Sequence, residues 1–331
     1  METIRWGILG CGKIADKFAS DLKLTQSGIL VAVASKDKTR AIKFGDRYNV
    51  LMAHGNYEEL AANPEVDAIY IATTHNFHHQ NALLCLENEK AVLCEKPLAI
   101  NATQVKEMVD LARKKKVFFM EALWTKFLPH YNIVSSMVKE GKLGDLKSMQ
   151  VNFGFKPYPP IPDRLFNPEL GGGSLLDIGI YNVFMALSLM GKPDEIYAMM
   201  SPAPTGVDEQ CAVTFCYKNG GFAQLLSSFS SNLATGCDIS GTEGRIYLSK
   251  RFYEPSTLIN FYPNNSNSGT IIPFLKPNGW GYHEQISHVN HCISRGLTES
   301  PIMTHEDSLL LMTTLDEIRM KAGIRYINYE L

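Results

Sequence analysis

The chain lacks the features that would mark a specialised partner or compartment. Neither charge sign prevails: 32 Lys plus Arg face 34 Asp plus Glu among 331 residues. That balance supplies no bulk field for nucleic acid and no polybasic anchor for a membrane surface, so neither is expected as a partner. No apolar run reaches the ~20 residues that span a bilayer. The longest candidate, 175–190, is broken by Asp177, Asn182 and Ser188. Met1-Glu2-Thr3-Ile4-Arg5-Trp6 has no basic region leading into an apolar one, so no signal peptide is expected. The seven cysteines (Cys11, Cys85, Cys94, Cys211, Cys216, Cys237 and Cys292) form no C-x-x-C pair. Their scatter reads as reduced thiols in the cytoplasm. His283, His288 and His291 cluster late in the chain, but HExxH and an accompanying Cys/Asp set are missing, so no metal is expected. Repeats and low-complexity tracts are absent too, and 264–268 is a polar loop.

What is present is alternation of strands and helices. At roughly 150 residues per domain the length implies about two domains. Apolar runs at 4–9, 30–34, 68–72, 91–94 and 117–120, with a weaker one near Leu51, predict strands. Between them, helices are predicted after Gly12, where Ile14, Phe18 and Leu22 share one face, and over 39–48, 57–62, 77–87 and 101–115. Asn101 and Gln104 resemble a capping box at the start of the last. Continuous apolar strands alternating with helices mean a parallel sheet covered on both faces. About six strands by residue 122 suffice for an α/β doubly wound, dinucleotide-binding domain.

The remainder has another grain. A helix is expected over 128–140, then a long alternating strand over 146–155. Pro157, Pro159, Pro160, Pro162 and Pro168 mark an irregular loop. After Gly171-Gly172-Gly173 a helix should run to about Met190. Strands over 195–200, 210–217, 222–229 and 245–248, with Asn219-Gly220 as a hairpin signal, make a mainly antiparallel sheet. Helices over 282–295 and 305–322 close the chain. The division expected is 1–122 for a Rossmann domain and 123–331 for an α+β domain, with the closing helices free to pack back on the first.

The first chemical motif is Gly10-x-Gly12-x-x-Ala15, after a strand and opening a helix. The first Gly permits the tight turn, the second lets backbone approach a pyrophosphate, and Ala still allows close helix–strand packing. Lys13 and Ile14 begin the helix whose N–H groups meet the phosphates. No G-x-x-x-x-G-K-[ST] loop surrounds Gly12-Lys13. At the end of the second strand, an NAD site usually places Asp or Glu for the ribose hydroxyls. This chain has Ser35, Lys36 and Arg40, with Asp37 past the usual position. A hydroxyl and two cations suit a 2′-phosphate, so NADP is expected, with NAD as the alternative.

The second motif is Glu95-Lys96-Pro97, at the carboxyl edge of the parallel sheet, where open α/β sheets bind ligands. Thr73, Thr74, His75, Asn76 and His79 follow another strand at the same edge and join the candidate cofactor contacts. A lysine beside a nicotinamide can hydrogen-bond a substrate oxygen and stabilise charge on it.

Together with the two-domain order, these segments resemble the Gfo/Idh/MocA oxidoreductase family. Glu121-Ala122-Leu123-Trp124-Thr125-Lys126-Phe127-Leu128-Pro129 and Gly171-Gly172-Gly173-Ser174-Leu175-Leu176-Asp177-Ile178-Gly179-Ile180-Tyr181 are similar to its branch of dimeric dihydrodiol dehydrogenases and NADP-dependent D-xylose dehydrogenases. The resemblance implies an open second-domain sheet used for self-association, hence a homo-oligomer, with a dimer favoured. It also implies Lys96 and Tyr181 as the catalytic pair. Many family members carry His where this chain has Tyr181. Asp177, four residues before Tyr181, can share its helix face.

The chemistry stands beside that resemblance. Oxidising an alcohol removes a hydride and a proton, and the protein must accept the proton. A phenol ordinarily ionises near pH ~10, and a neighbouring ammonium lowers that value, making Tyr181 a candidate base. The reverse assignment, a neutral Lys96 as base, stays open. Trp124, Lys126, Arg164, Asn167 and Tyr282 are candidate substrate contacts, with packing or solvation as their plain alternatives. The expected enzyme acts on a secondary alcohol or hemiacetal of a sugar, polyol or trans-dihydrodiol. The rival is a non-catalytic NAD(P)-sensing regulator of the same fold.

Overall fold

Six residues, Ile4–Leu9, form β1, and five of them are buried. A strand this apolar on both sides needs cover on both faces, and it receives it at the centre of a six-stranded sheet. The computed structural model describes residues 3–264, 266 and 268–329. The sheet order is β3-β2-β1-β4-β5-β6, with β2 (Gly28–Ala34), β3 (Met52–His54), β4 (Ala68–Ile71), β5 (Ala91–Glu95) and β6 (Phe119–Ala122) all parallel to their neighbours. This is the doubly wound order, whose strands reverse direction of travel beside β1. The helices are α1 (Lys13–Leu22), α2 (Lys38–Tyr48), α3 (Tyr57–Ala61), α4 (His78–Glu87) and α5 (Ala102–Lys115). The Asn101 side chain accepts from Gln104 N, and Gln104 Oε1 accepts from Ile100 N, so the cap forms but closes one residue early.

The chain folds into two compact units: Met1–Phe127 with Pro277–Met312, and Leu128–Lys276 with Thr313–Leu331. Helix α8 (Tyr282–Ser294) belongs to the first, where Asn290 Oδ1 accepts from the Trp6 indole at 2.9 Å. Helix α9 (His305–Ala322) has its expected span.

The second unit carries α6 (Pro129–Lys139), α7 (Ile180–Met190) and eight strands: β7 (Leu146–Gly154), β8 (Glu195–Pro202), β9 (Asp208–Cys216), β10 (Phe222–Ser228), β11 (Gly236–Gly241), β12 (Gly244–Ser249), β13 (Leu258–Pro263) and β14 (Thr270–Ile272). Their order is β14-β13-β12-β11-β7-β10-β9-β8. All neighbours are antiparallel except β7 and β10. Met149, Val151 and Phe153 alternate inward along β7, toward the face α7 covers, while Gln150 and Asn152 point the other way.

Several expectations need correction. The strand near Leu51 starts one residue later, and Leu51 itself is 98% exposed. The helix after Gly173 is not uniform: Leu175–Gly179 is a π turn, and α7 begins only at Ile180. β11, β13 and β14 were not anticipated; they are short, and β11 is bounded by glycine at both ends. The polar loop at 264–268 lies partly outside the described residues, at positions 265 and 267. Pro168–Met190 does pass a length-and-hydropathy criterion for spanning a membrane, yet 78% of its most apolar window is buried inside the fold.

Candidate functional site

The glycine loop separates two roles that one motif combines. Gly10 has φ +99°, and a Cβ there would lie 2.9 Å from the Ala72 carbonyl oxygen. It is therefore a backbone requirement where β1 passes β4. Gly12 has ordinary extended dihedrals and caps α1 without a side-chain bond. A Cβ at Gly12 would meet no protein atom within 4 Å. Glycine is not needed there for the protein's own packing, so the open space is what a phosphate group fits. Ala15 is fully buried, as close helix packing requires. Lys13 is exposed and Ile14 half-buried.

The groups expected from three separate strand ends do converge. Arg40 lies close enough to Cys11 to oppose the upward push of burial on its thiol, which stands at about 11. The Lys36 ammonium sits 4.2 Å from the Phe77 ring centroid and 6.0 Å from that of Tyr57. Tyr57 feels both Cys11 and Arg40. Lys36 and Arg40 are thus exposed cations beside the loop. Ser35 is buried and its Oγ accepts from Asp37 N at 3.2 Å. Asp37 caps α2, accepting from Thr39 N and Arg40 N. Both bonds go to Oδ1, so the helix start engages one oxygen of that carboxylate.

After β4, Thr74 Oγ1 donates to Asn76 Oδ1 at 2.8 Å, and His75 opens a 3₁₀ turn ending at Phe77. His78, next along, is wholly buried, with Nδ1 2.8 Å from the Pro97 carbonyl and Nε2 3.1 Å from that of Thr73. It ties the loop after β4 to Glu95-Lys96-Pro97. His79 faces elsewhere, with Nε2 2.7 Å from Glu107 on α5, so the structure does not bring it to the others.

Glu95 ends β5 buried, accepting from the Tyr70 hydroxyl and, at 3.3 Å, from Lys96 N. Tyr70 is stacked on Phe18, and burial with the Glu95 charge pushes its pKa far up. Tyr70 thus holds Glu95, which in turn holds the Lys96 backbone N–H. Glu121, on β6, accepts from Leu98 N at 3.2 Å while its Oε2 is buried without a hydrogen bond. Desolvation raises its pKa to about 7. Trp124 and Tyr282 stack on each other at 4.7 Å, both buried, and Lys126 pairs with Asp307 at 2.8 Å. Within this unit those three groups are engaged with one another or with Asp307.

In the second unit, Arg164 Nη1 lies 3.0 Å from Asp177 Oδ2. The buried Tyr181 ring lies 5.0 Å from Tyr253 and 6.0 Å from Phe153, and the last two stack at 4.3 Å. Tyr253 also feels the Asp177 charge, and burial above all keeps its phenol protonated and able to donate. Phe153 and Tyr253 line a cavity of about 950 Å³ with Asn232, Thr235 and Arg251. Sequence reasoning missed Tyr253. Its only signal was Phe252-Tyr253 between a cationic pair and Glu254 in an otherwise polar loop. Asn167 is spent locally, donating to Asp163 and accepting from Glu169 N. Among the described residues, no group of three His, Cys, Asp or Glu could hold a metal ion.

Fold and geometry together define a class. Residues 4–123 match the family described as "Oxidoreductase family, NAD-binding Rossmann fold", and 131–247 match the "GFO/IDH/MocA C-terminal domain". The chain belongs to the Gfo/Idh/MocA oxidoreductase family. Its relatives include trans-1,2-dihydrobenzene-1,2-diol dehydrogenase of Xenopus tropicalis, 37% identical over 97% of this chain and 99% of the relative. The enzyme of the same name from Sus scrofa is 38% identical over 98% of each. Among solved structures, aldose-aldose oxidoreductase from Caulobacter crescentus complexed with glycerol superposes with a TM-score of 0.88 at 22% identity, covering 97% of this chain and 98% of its own. A 3-ketoreductase from Actinomadura kijaniata, in complex with NADP and TDP-benzene, gives 0.86 at 24% over 97% and 98%. At these identities the two structures speak for the fold.

Proposed function

We propose that the chain is an NADP-dependent oxidoreductase acting on a secondary alcohol or hemiacetal carbon of a sugar, polyol or trans-dihydrodiol. The observation that carries this reading is the convergence of an open Gly12 turn with Lys36 and Arg40 at one sheet edge, in a chain like the dihydrodiol dehydrogenases over nearly its whole length. Backbone N–H groups of α1 receive the pyrophosphate, and the two cations bind the 2′-phosphate. NAD remains the alternative cofactor. Bound NADP supplies the hydride acceptor or donor.

The chain's own residues handle orientation and the proton. Tyr181 exchanges the proton with the substrate hydroxyl, and Lys96 orients that hydroxyl and stabilises charge on its oxygen. Asp177, paired with Arg164, carries the negative charge of the Tyr181 segment. The stacked faces of Phe153 and Tyr253 suit the C–H face of a cyclic diol or sugar. Tyr181→Phe is expected to lower kcat by about 10²- to 10⁴-fold and to leave the NADPH Kd unchanged. Full turnover in Tyr181→Phe with none in Lys96→Ala would assign the proton to Lys96 instead.

We propose further that the protein is a cytoplasmic homodimer with a small-molecule substrate and no nucleic-acid or membrane partner. All seven cysteines are free, which suits a reducing compartment. The uncovered face of the eight-stranded sheet exposes Tyr197, Met199 and Phe222 by 61%, 70% and 51%, an apolar patch of the kind that self-association covers. A monomer mass by light scattering would rule the dimer out.

A further inference from the structure

The turn that carries Asp177 and leads into Tyr181 is poorly equipped to hold itself. It follows Gly171 and Gly173, both at positive φ, and it is a π turn before α7 starts. π turns are rare and concentrate at functional positions. Two neighbouring strands bond to its start. Asp208, the first residue of β9, accepts from Leu175 N at 2.6 Å and from Ser174 Oγ at 2.9 Å. Ser174 Oγ also lies 2.9 Å from Ser227 Oγ on β10. On the far side of Tyr181, Asn182 Nδ2 donates to the Leu226 carbonyl at 2.9 Å, again on β10. Tyr181 therefore stands between two moorings, the first to β9 and β10 and the second to β10 alone.

The first mooring is costly. Asp208 is wholly buried, and its Oδ1 has no hydrogen-bond partner. A Cβ at Gly173 would lie 2.2 Å from that Oδ1, so a glycine at φ +114° is required to admit the carboxylate. Burial disfavours the charged form and pushes the Asp208 pKa up to about 6. A serine hydroxyl could satisfy one N–H without it. The negative charge is, however, well placed against the first N–H groups and the positive end of the helix. What it adds over a neutral cap is a stiffer, charge-assisted hold on the backbone.

We propose that Asp208 is a positioning residue: through Ser174 and Leu175 it fixes the turn 174–179, and so the orientation of Asp177 and Tyr181. This rests on the reading of Tyr181 given above. Asp208 acts with Ser227 and Asn182 from a wholly buried position.

The test compares Asp208→Asn with Tyr181→Phe in the full-length protein. Asn keeps the shape and one acceptor oxygen but loses the charge. Asp208→Asn is expected to lower kcat about 10- to 100-fold, the scale of a small misplacement of a reacting group, with substrate KM and NADPH Kd little changed. Amide hydrogen exchange over 174–182 should quicken while that of the later part of α7 holds. If Asp208→Asn fails to fold, Asn182→Ala removes the other mooring without touching a buried charge and should act in the same direction. Wild-type kcat and unchanged exchange in a folded variant overturn the proposal, as does a kcat loss matched by an equal loss of NADPH-binding sites. Should Tyr181→Phe retain full turnover, the proton assignment falls while exchange alone decides Asp208: faster exchange over 174–182 sustains it, unchanged exchange overturns it.

Discussion

Gly10 and Gly12 show how one motif holds two kinds of residue. Gly10 answers to the protein: its φ of +99° and the Ala72 carbonyl leave no room for a side chain. Gly12 is uncrowded by the protein, which leaves room for the phosphate proposed above. Gly12→Ala is therefore expected to leave thermal stability unchanged and weaken NADPH binding by about tenfold or more, by taking the space a phosphate oxygen needs. Gly10→Ala should instead destabilise the fold by about 1–3 kcal/mol. Differential scanning calorimetry with a fluorescence titration of NADPH separates the two. Equal effects on affinity and stability at Gly12 would deny it a phosphate role. The glycine loop, Lys36, Arg40 and the Glu95-Lys96 edge were legible because strand–turn–helix order places them without three-dimensional detail. Tyr253 and Asp208 were not legible. Each is brought to the Tyr181 segment by sheet pairing across tens of residues, which no local pattern records. His79 and Asn167 were read toward a ligand because their types suit one, but the structure gives them Glu107 and Asp163 as partners.

At the scale of elements, the start of α2 decides the meaning of an acidic residue near a cofactor site. Asp37 accepts from two backbone N–H groups and so serves the helix. Asp37→Ala should cost about 1 kcal/mol of stability with NADPH affinity nearly intact. Lys36→Ala should do the reverse, weakening NADPH about tenfold with NADH affinity unchanged. Tighter NADH than NADPH binding by the wild-type protein would contradict the argument from Ser35, Lys36 and Arg40. The parallel strands were readable because burial on both faces makes them unbroken apolar runs. β11, β13 and β14 were not, since their cover is one-sided and Asp238, Ser240 and Asn260 interrupt the pattern. The π turn at Leu175–Gly179 was also invisible, because its apolar sequence suits any helix. What selects it is the hold of Asp208 and Ser227 on its first residues.

For the whole molecule, buried carboxyls set how stability responds to pH. Glu121 has its pKa raised from 4.5 to about 7 by desolvation. The folded state then holds a proton that the unfolded state releases between these values. Its contribution is fully present below pH ~4.5 and declines as pH rises to ~7, at up to about 1.4 kcal/mol per unit. Glu121→Gln should remove that slope, so the variant gains stability relative to wild type as pH increases from 5 to 8. Parallel curves in urea across that range would show that Glu121 does not titrate in the folded protein. A near-neutral chain of two units, one with the glycine loop and one with the Tyr181 segment, fits the small dissociable cofactor and small substrate proposed above. The most direct test is reduced-nicotinamide absorbance when the protein is given NADP⁺ with a panel of trans-dihydrodiols, aldoses and polyols. An enzyme of this kind produces NADPH with at least one member of the panel, and Tyr181→Phe suppresses it. Tight NADP⁺ binding with no absorbance change on any substrate would contradict catalysis and leave the sensing regulator standing.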